Sequence, residues 1–153
     1  MTFTKRQFLS AGTAALATLT VMPRAALAQT PAVYAEDAIA IDGTDPVAYF
    51  TDGAPVAGDP AITHDWNGAT WRFSSAANRD AFAADPAAYA PQFGGYCAYA
   101  VSEGYTASTT PEAWRIVDGK LYLNYSRRIQ RKWERDIPAR IANGEANWPR
   151  VLN

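Results

Sequence analysis

Ile62-Thr63-His64-Asp65-Trp66-Asn67-Gly68-Ala69-Thr70-Trp71-Arg72-Phe73 carries the strongest architectural signal in the chain. Asn67-Gly68 predicts a two-residue type I′ turn, because both central residues of that turn need positive φ. The turn sets the register: Trp66 faces Ala69, Asp65 faces Thr70, His64 faces Trp71, Thr63 faces Arg72 and Ile62 faces Phe73. Side chains alternate along a strand. Ile62, His64, Trp66, Ala69, Trp71 and Phe73 therefore share one face, and Thr63, Asp65, Thr70 and Arg72 the other. The chain's one histidine stands on the apolar face, opposite a tryptophan.

Downstream, Ser74 or Ser75 is placed to cap a helix whose apolar stripe includes Ala77, Ala81, Phe82 and Ala84, ended by Asp85-Pro86. The same grammar returns about fifty residues later. Asp118-Gly119 predicts a second hairpin pairing Ile116 with Leu121 and Trp114 with Leu123. Ser126 then opens a helix with Ile129, Trp133 and Ile137 on one side, which Pro138 is expected to stop. A shift of 51 superposes Gly68 on Gly119, Trp71 on Tyr122, Ser75 on Ser126 and Phe82 on Trp133, a pattern that fits either a pseudo-repeat or two separate instances of the common hairpin-then-helix motif. The fold class expected is α+β: a small antiparallel sheet built from two hairpins, each followed by a helix. Upstream, Asp42-Gly43-Thr44-Asp45-Pro46 is turn-rich, and Val47-Ala48-Tyr49-Phe50 is expected to be extended.

The amino-terminal segment is read as an export signal. Lys5 and Arg6 form a basic start, Leu9 to Met22 is apolar but too short for a membrane span, and Ala26-Leu27-Ala28 offers a small-x-small cleavage site. Thr4-Lys5-Arg6-Gln7-Phe8-Leu9 resembles a twin-arginine signal with Lys in place of the first Arg. A Sec signal with a basic start is the alternative, and either route implies the periplasm. The organisation expected is a cleavable signal over 1–28, a short leader over 29–38 and one domain over 39–153, with no integral membrane segment after cleavage.

Loss of residues 1–28 leaves eleven basic against fifteen acidic side chains, a net charge of −4. That balance argues against nucleic-acid binding, which needs a basic surface. Both methionines leave with the signal, so one thiol (Cys97) and one imidazole (His64) remain. A lone cysteine makes no internal disulfide, and an unpaired thiol in an oxidising compartment invites a functional reading. Gly94-Gly95 beside it lets backbone approach closely or present N–H groups to a thiolate.

Asp45-Pro46-Val47, His64, Asn67-Gly68, Trp71-Arg72-Phe73-Ser74, Phe82, Asp85-Pro86 and Tyr89 together resemble the YHS domain. With Gly94 to Val101 and the Trp114 to Trp133 tract, the chain is most similar to the exported YHS domain-containing (seleno)proteins, over nearly all of residues 39 to 152. The resemblance implies metal handling. It does not carry over a cysteine-rich zinc site, because Ala48 and Ser74 stand where metal-binding relatives would have Cys. The selenoprotein label implies sulfur chemistry at Cys97, and His64 matches the family histidine.

Ligand number narrows the metals. A monomer with one thiolate, one imidazole and no thioether cannot form a blue-copper set or a four-ligand zinc site. Low-coordinate Cu(I), a site completed by Tyr or carboxylate oxygens, or a site shared by two copies survives. There is no Gly-x-Ser-x-Gly elbow, haem-attachment motif, P-loop or dinucleotide fingerprint. Three readings stay open: copper handling centred on Cys97 with His64, a thiol-dependent redox enzyme using Cys97, and a non-catalytic binding module in which Cys97 is packing. The partner is a metal ion or small ligand. The helix carrying Arg127, Arg128, Arg131, Lys132 and Arg135 is read first as a solvated face, with docking of an anionic protein partner or of lipid headgroups as the alternatives.

Overall fold

The computed structural model describes residues 28–153. The export signal falls on residues outside this range, apart from Ala28. Strands β1 (Ala35–Glu36) and β2 (Ile39–Ala40) come first, followed by helix α1 (Ala48–Thr51). The first hairpin is β3 (Asp59–Trp66) and β4 (Ala69–Phe73), followed by α2 (Ala76–Ala84) and α3 (Pro86–Tyr89). Helix α4 (Ala98–Ser102) leads to the second hairpin, β5 (Trp114–Val117) and β6 (Lys120–Leu123), and then to α5 (Arg127–Trp133) and α6 (Ile137–Asn147). The class is α+β.

The two hairpins lie in separate sheets rather than one antiparallel sheet. The first belongs to a four-stranded sheet of order β1-β2-β4-β3, in which β2 runs parallel to β4; the second stands alone as β5-β6. Both turns form as expected, with Asn67 and Gly68 at φ 51° and 82° and Asp118 and Gly119 at 50° and 74°. His64 pairs with Trp71, and Trp114 with Leu123. One pair departs: Phe73 faces Asp59, not Ile62, because the register slips between Asp59 and Thr63. Pro60 lies in that stretch and has no N–H to give the ladder, which restricts it to an edge strand such as β3 or to an irregularity.

The pseudo-repeat holds in three dimensions. Ser75 and Ser126 each cap their helix by accepting a backbone N–H three residues on, from Asn78 at 3.1 Å and Ile129 at 3.2 Å. Trp71 meets Phe82 at 5.1 Å between ring centroids and 35° between planes; the shifted pair, Tyr122 and Trp133, meets at 5.2 Å and 35°. All four rings are buried and anchor the core.

Three local expectations are corrected. Val47 to Phe50 is helical, not extended, because the buried Asp45 carboxylate accepts the backbone N–H groups of Val47 and Ala48 and caps the turn. Pro138 does not stop α5. That helix ends at Trp133, a 3₁₀ turn covers Glu134–Asp136, and Pro138 sits in the first turn of α6, where a missing N–H costs nothing. Residues 29–38 are no separate leader: Val33 and Tyr34 are buried, Tyr34 N–H donates to Gly94 at 2.9 Å, and β1 joins the sheet. Two apolar side chains in that stretch have a place in the core, and burial outweighs the polar composition around them.

Candidate functional site

Cys97 sits at the amino-terminal cap of α4, with 1% of its surface exposed. Its Sγ accepts the Tyr125 backbone N–H at 3.2 Å, and its thiol donates to Asn124 Oδ1 at 3.6 Å. Asn124 is fully buried, and the same Oδ1 accepts the Tyr99 N–H at 3.1 Å. Above the sulfur lies a cavity of about 230 Å³ walled by Tyr99, Ala100, Tyr105, Ala107, Tyr125 and Ile129. Tyr105 and Tyr125 are 52% and 57% exposed, the two large apolar side chains that most face solvent among the described residues. Both stand at this cavity.

The pseudo-repeat gives the arrangement a meaning. In the first unit, one carboxylate, Asp45, accepts the N–H of Ala48 at 3.3 Å and of Ser74 at 2.8 Å. A shift of 51 residues carries Ala48 to Tyr99 and Ser74 to Tyr125. Those two N–H groups are the ones accepted by Asn124 Oδ1 and Cys97 Sγ. The acceptor role of the Asp45 carboxylate is thus divided in the second unit between an amide oxygen and a sulfur. Donors that face a carboxylate in one half face a thiol in the other, and such donors favour negative charge.

Two effects on the thiol oppose each other. Burial pushes the Cys97 pKa up, since a desolvated thiolate is costly. The backbone N–H groups of Ala100, Tyr125 and Tyr99 pull it down and offset part of that rise. The net direction is up, so the folded site favours the thiol, while the backbone N–H groups lessen the cost of the thiolate.

His64 is half-buried on β3, opposite Trp71, with its ring edge-on to Phe82 at 6.2 Å between centroids. It is not among the residues lining the Cys97 cavity, and no hydrogen bond or ring contact joins the two among the described residues. The first hairpin holds the imidazole in an aromatic cluster with Trp66, Trp71 and Phe82. These contacts place Cys97 and His64 in different side-chain clusters. Among the described residues no three His, Cys, Asp or Glu side chains gather to hold a metal ion. One soft donor with an amide oxygen and phenols around it is a poor intramolecular set for Cu(I), which favours sulfur and imidazole.

Gly94 and Gly95 serve the fold and not the sulfur. At φ 63°, Gly94 lies so close to Ala32 that a Cβ would fall inside contact of the Ala32 carbonyl, and a Cβ on Gly95 would meet Ile41. Asn124, Tyr105 and Tyr125 escape a reading based on scarce side chains, since none is rare. The 51-residue shift is the signal that points to the segment after β6. No helix among the described residues is long and apolar enough to cross a membrane. No family model, curated protein or solved structure matches the chain.

Proposed function

We propose that the protein is an exported, thiol-dependent redox protein that works through Cys97 at the floor of the aromatic-walled cavity. One observation carries this reading: Cys97 Sγ takes the place of a carboxylate oxygen in the pseudo-repeat, against the donor equivalent to Ser74 N–H. A cysteine needed only to fill space would not require that cradle or a cavity over its sulfur. The resemblance to exported YHS (seleno)proteins supports sulfur chemistry at the same residue, and the basic start and small-x-small site support export.

The chemistry that fits is thiol–disulfide exchange with a small molecule. The Cys97 thiolate attacks one sulfur of a disulfide, the old S–S bond breaks, and a mixed disulfide forms. The other half leaves as a thiolate and takes up the proton that Cys97 lost. With no second cysteine to resolve the adduct, release needs an incoming small thiol.

The test is incubation of the folded protein with 2-hydroxyethyl disulfide, followed by intact-mass measurement. The reading expects one half-disulfide per chain, removed by added thiol and missing in Cys97→Ser. Adduct on the unfolded chain but none on the folded one would refute it. Copper handling is the second reading, favoured by the same thiolate cradle, with the remaining donor supplied by a second copy or an external thiol. It predicts Cu(I) held near one equivalent against a competing chelator and lost in Cys97→Ser.

A further inference from the structure

The basic residues after the second hairpin have no role in the fold described so far. Arg127, Arg128, Arg131, Lys132 and Arg135 stand within nine residues, and none forms an ion pair among the described residues. No acid lies between Asp118 and Glu134, and Glu134 is engaged by Arg115 at 3.2 Å. A helix face that is merely solvated usually interleaves carboxylates at i+4. This one leaves its cations uncompensated in a chain that is acidic beyond residue 28.

Helix geometry places two of them beside the cavity. Trp133 is buried and Gln130 reaches the Trp114 carbonyl, so these residues define the inward side of α5. Ile129 lines the cavity. At 100° per residue, Arg128 and Lys132 lie on the flank of Ile129 away from Trp133 and Gln130, with Lys132 one turn beyond Ile129. Tyr125, two residues before the helix, also lines the cavity, and the basic flank adjoins the wall at Ile129. A second observation lies beside the sulfur. Asn124 Nδ2 is buried and has no hydrogen-bond partner among the described residues, although Oδ1 of the same amide serves Cys97 and Tyr99. A buried donor pair left unused is costly, and it lies behind the sulfur, since Asn124 itself is not part of the cavity wall.

We infer that the Cys97 cavity selects small anionic, thiol-reactive molecules, with the reactive atom at the sulfur and the negative charge at Arg128 and Lys132. The inference rests on Cys97 being the reactive group, and it names the substrate class. Iodoacetate and iodoacetamide form a matched pair of probes, nearly equal in size and different in charge. In each reaction an S–C bond forms, the C–I bond breaks, iodide leaves and the thiol proton passes to solvent.

The quantity read is the ratio of the two alkylation rates, iodoacetate over iodoacetamide, by intact mass. It should be several-fold higher for the folded protein than for the same chain in urea, since each nearby cation contributes a fraction of a kcal/mol through water. The Arg128→Gln/Lys132→Gln double variant and added salt should each return the ratio to the unfolded value, while Arg79→Gln on α2 should keep it high. A ratio equal in folded and unfolded chains, or unmoved by the double variant, overturns the inference and leaves the thiol reading standing. Failure of both reagents to modify the folded parent overturns both.

Discussion

Removing the Asp45 carboxylate should cost the fold about 3–5 kcal/mol. Asp45 is fully buried and accepts five hydrogen bonds. Oδ1 takes the N–H groups of Val47 at 2.8 Å and Ala48 at 3.3 Å. Oδ2 takes the Ser74 N–H at 2.8 Å, the Ser74 hydroxyl at 2.7 Å and the Asn78 amide at 2.8 Å. In Asp45→Ala, Ser74 and Asn78 can turn toward each other, but three backbone donors are left, each costing about 1–3 kcal/mol when buried without a partner. Water entering the vacated space recovers part, which brings the sum to the range given. Asp45→Asn is the sharper probe. Either orientation of its amide points an NH₂ group at two or three donors, so the usual near-isosteric replacement should still cost about 2–4 kcal/mol. Urea unfolding followed by tryptophan fluorescence reads both. The midpoint should fall with the slope unchanged, and melting should drop by roughly 10–20 °C for Asp45→Ala. An Asp45→Asn protein within about 1 kcal/mol of the parent would refute the account of this buried staple.

Other expectations follow from the same geometry. If the Cys97 cradle is the counterpart of the one around Asp45, Cys97→Asp should lose no more stability than Cys97→Val in urea titrations; a much larger loss for Asp would break the analogy. Gly94→Ala, at φ 63° and against the Ala32 carbonyl, should cost more than about 2 kcal/mol by pushing the amino-terminal segment off its docking site. Because burial raises the Cys97 pKa, the folded state holds that proton more tightly than the unfolded chain. The parent's stability, taken relative to Cys97→Ser, should therefore be flat below the ordinary thiol range and fall as pH rises through and above it. An increase over that window in pH-dependent urea melts would contradict the sign.

Hairpins and helix caps were legible because their signals are local. Asn67-Gly68 and Asp118-Gly119 need no distant partner to make turns, and Ser75 and Ser126 reach only three residues ahead. The helix at Ala48–Thr51 was not legible, because its cap is a carboxylate held from the far side by Ser74 and Asn78. Residues 29–38 looked like a leader because their docking partner, Gly94, lies some sixty residues away. The split into two sheets was hidden for a similar reason: β2 bridges to β4 through a single parallel pair, Ile39 with Thr70. At the site, scarcity singled out Cys97 and also paired it with His64, since two rare ligands invite one centre. The hairpin register put His64 against Trp71, and that placement already committed the imidazole to the aromatic cluster. Asn124 lay beyond reach, because a common side chain gains its role only through tertiary contact.

The central claim is that Cys97 is a working thiol in the native fold and not a core residue. The rate of Cys97 alkylation by iodoacetamide, measured across urea concentrations below the unfolding transition, tests it most directly. A cavity thiol is reached by local motion of Tyr105 and Tyr125, so the rate should stay nearly flat in urea until the transition begins. A rate that climbs from the lowest urea concentrations with the slope of global unfolding would mean that the sulfur is met only in the unfolded chain, and the thiol-dependent function would fall.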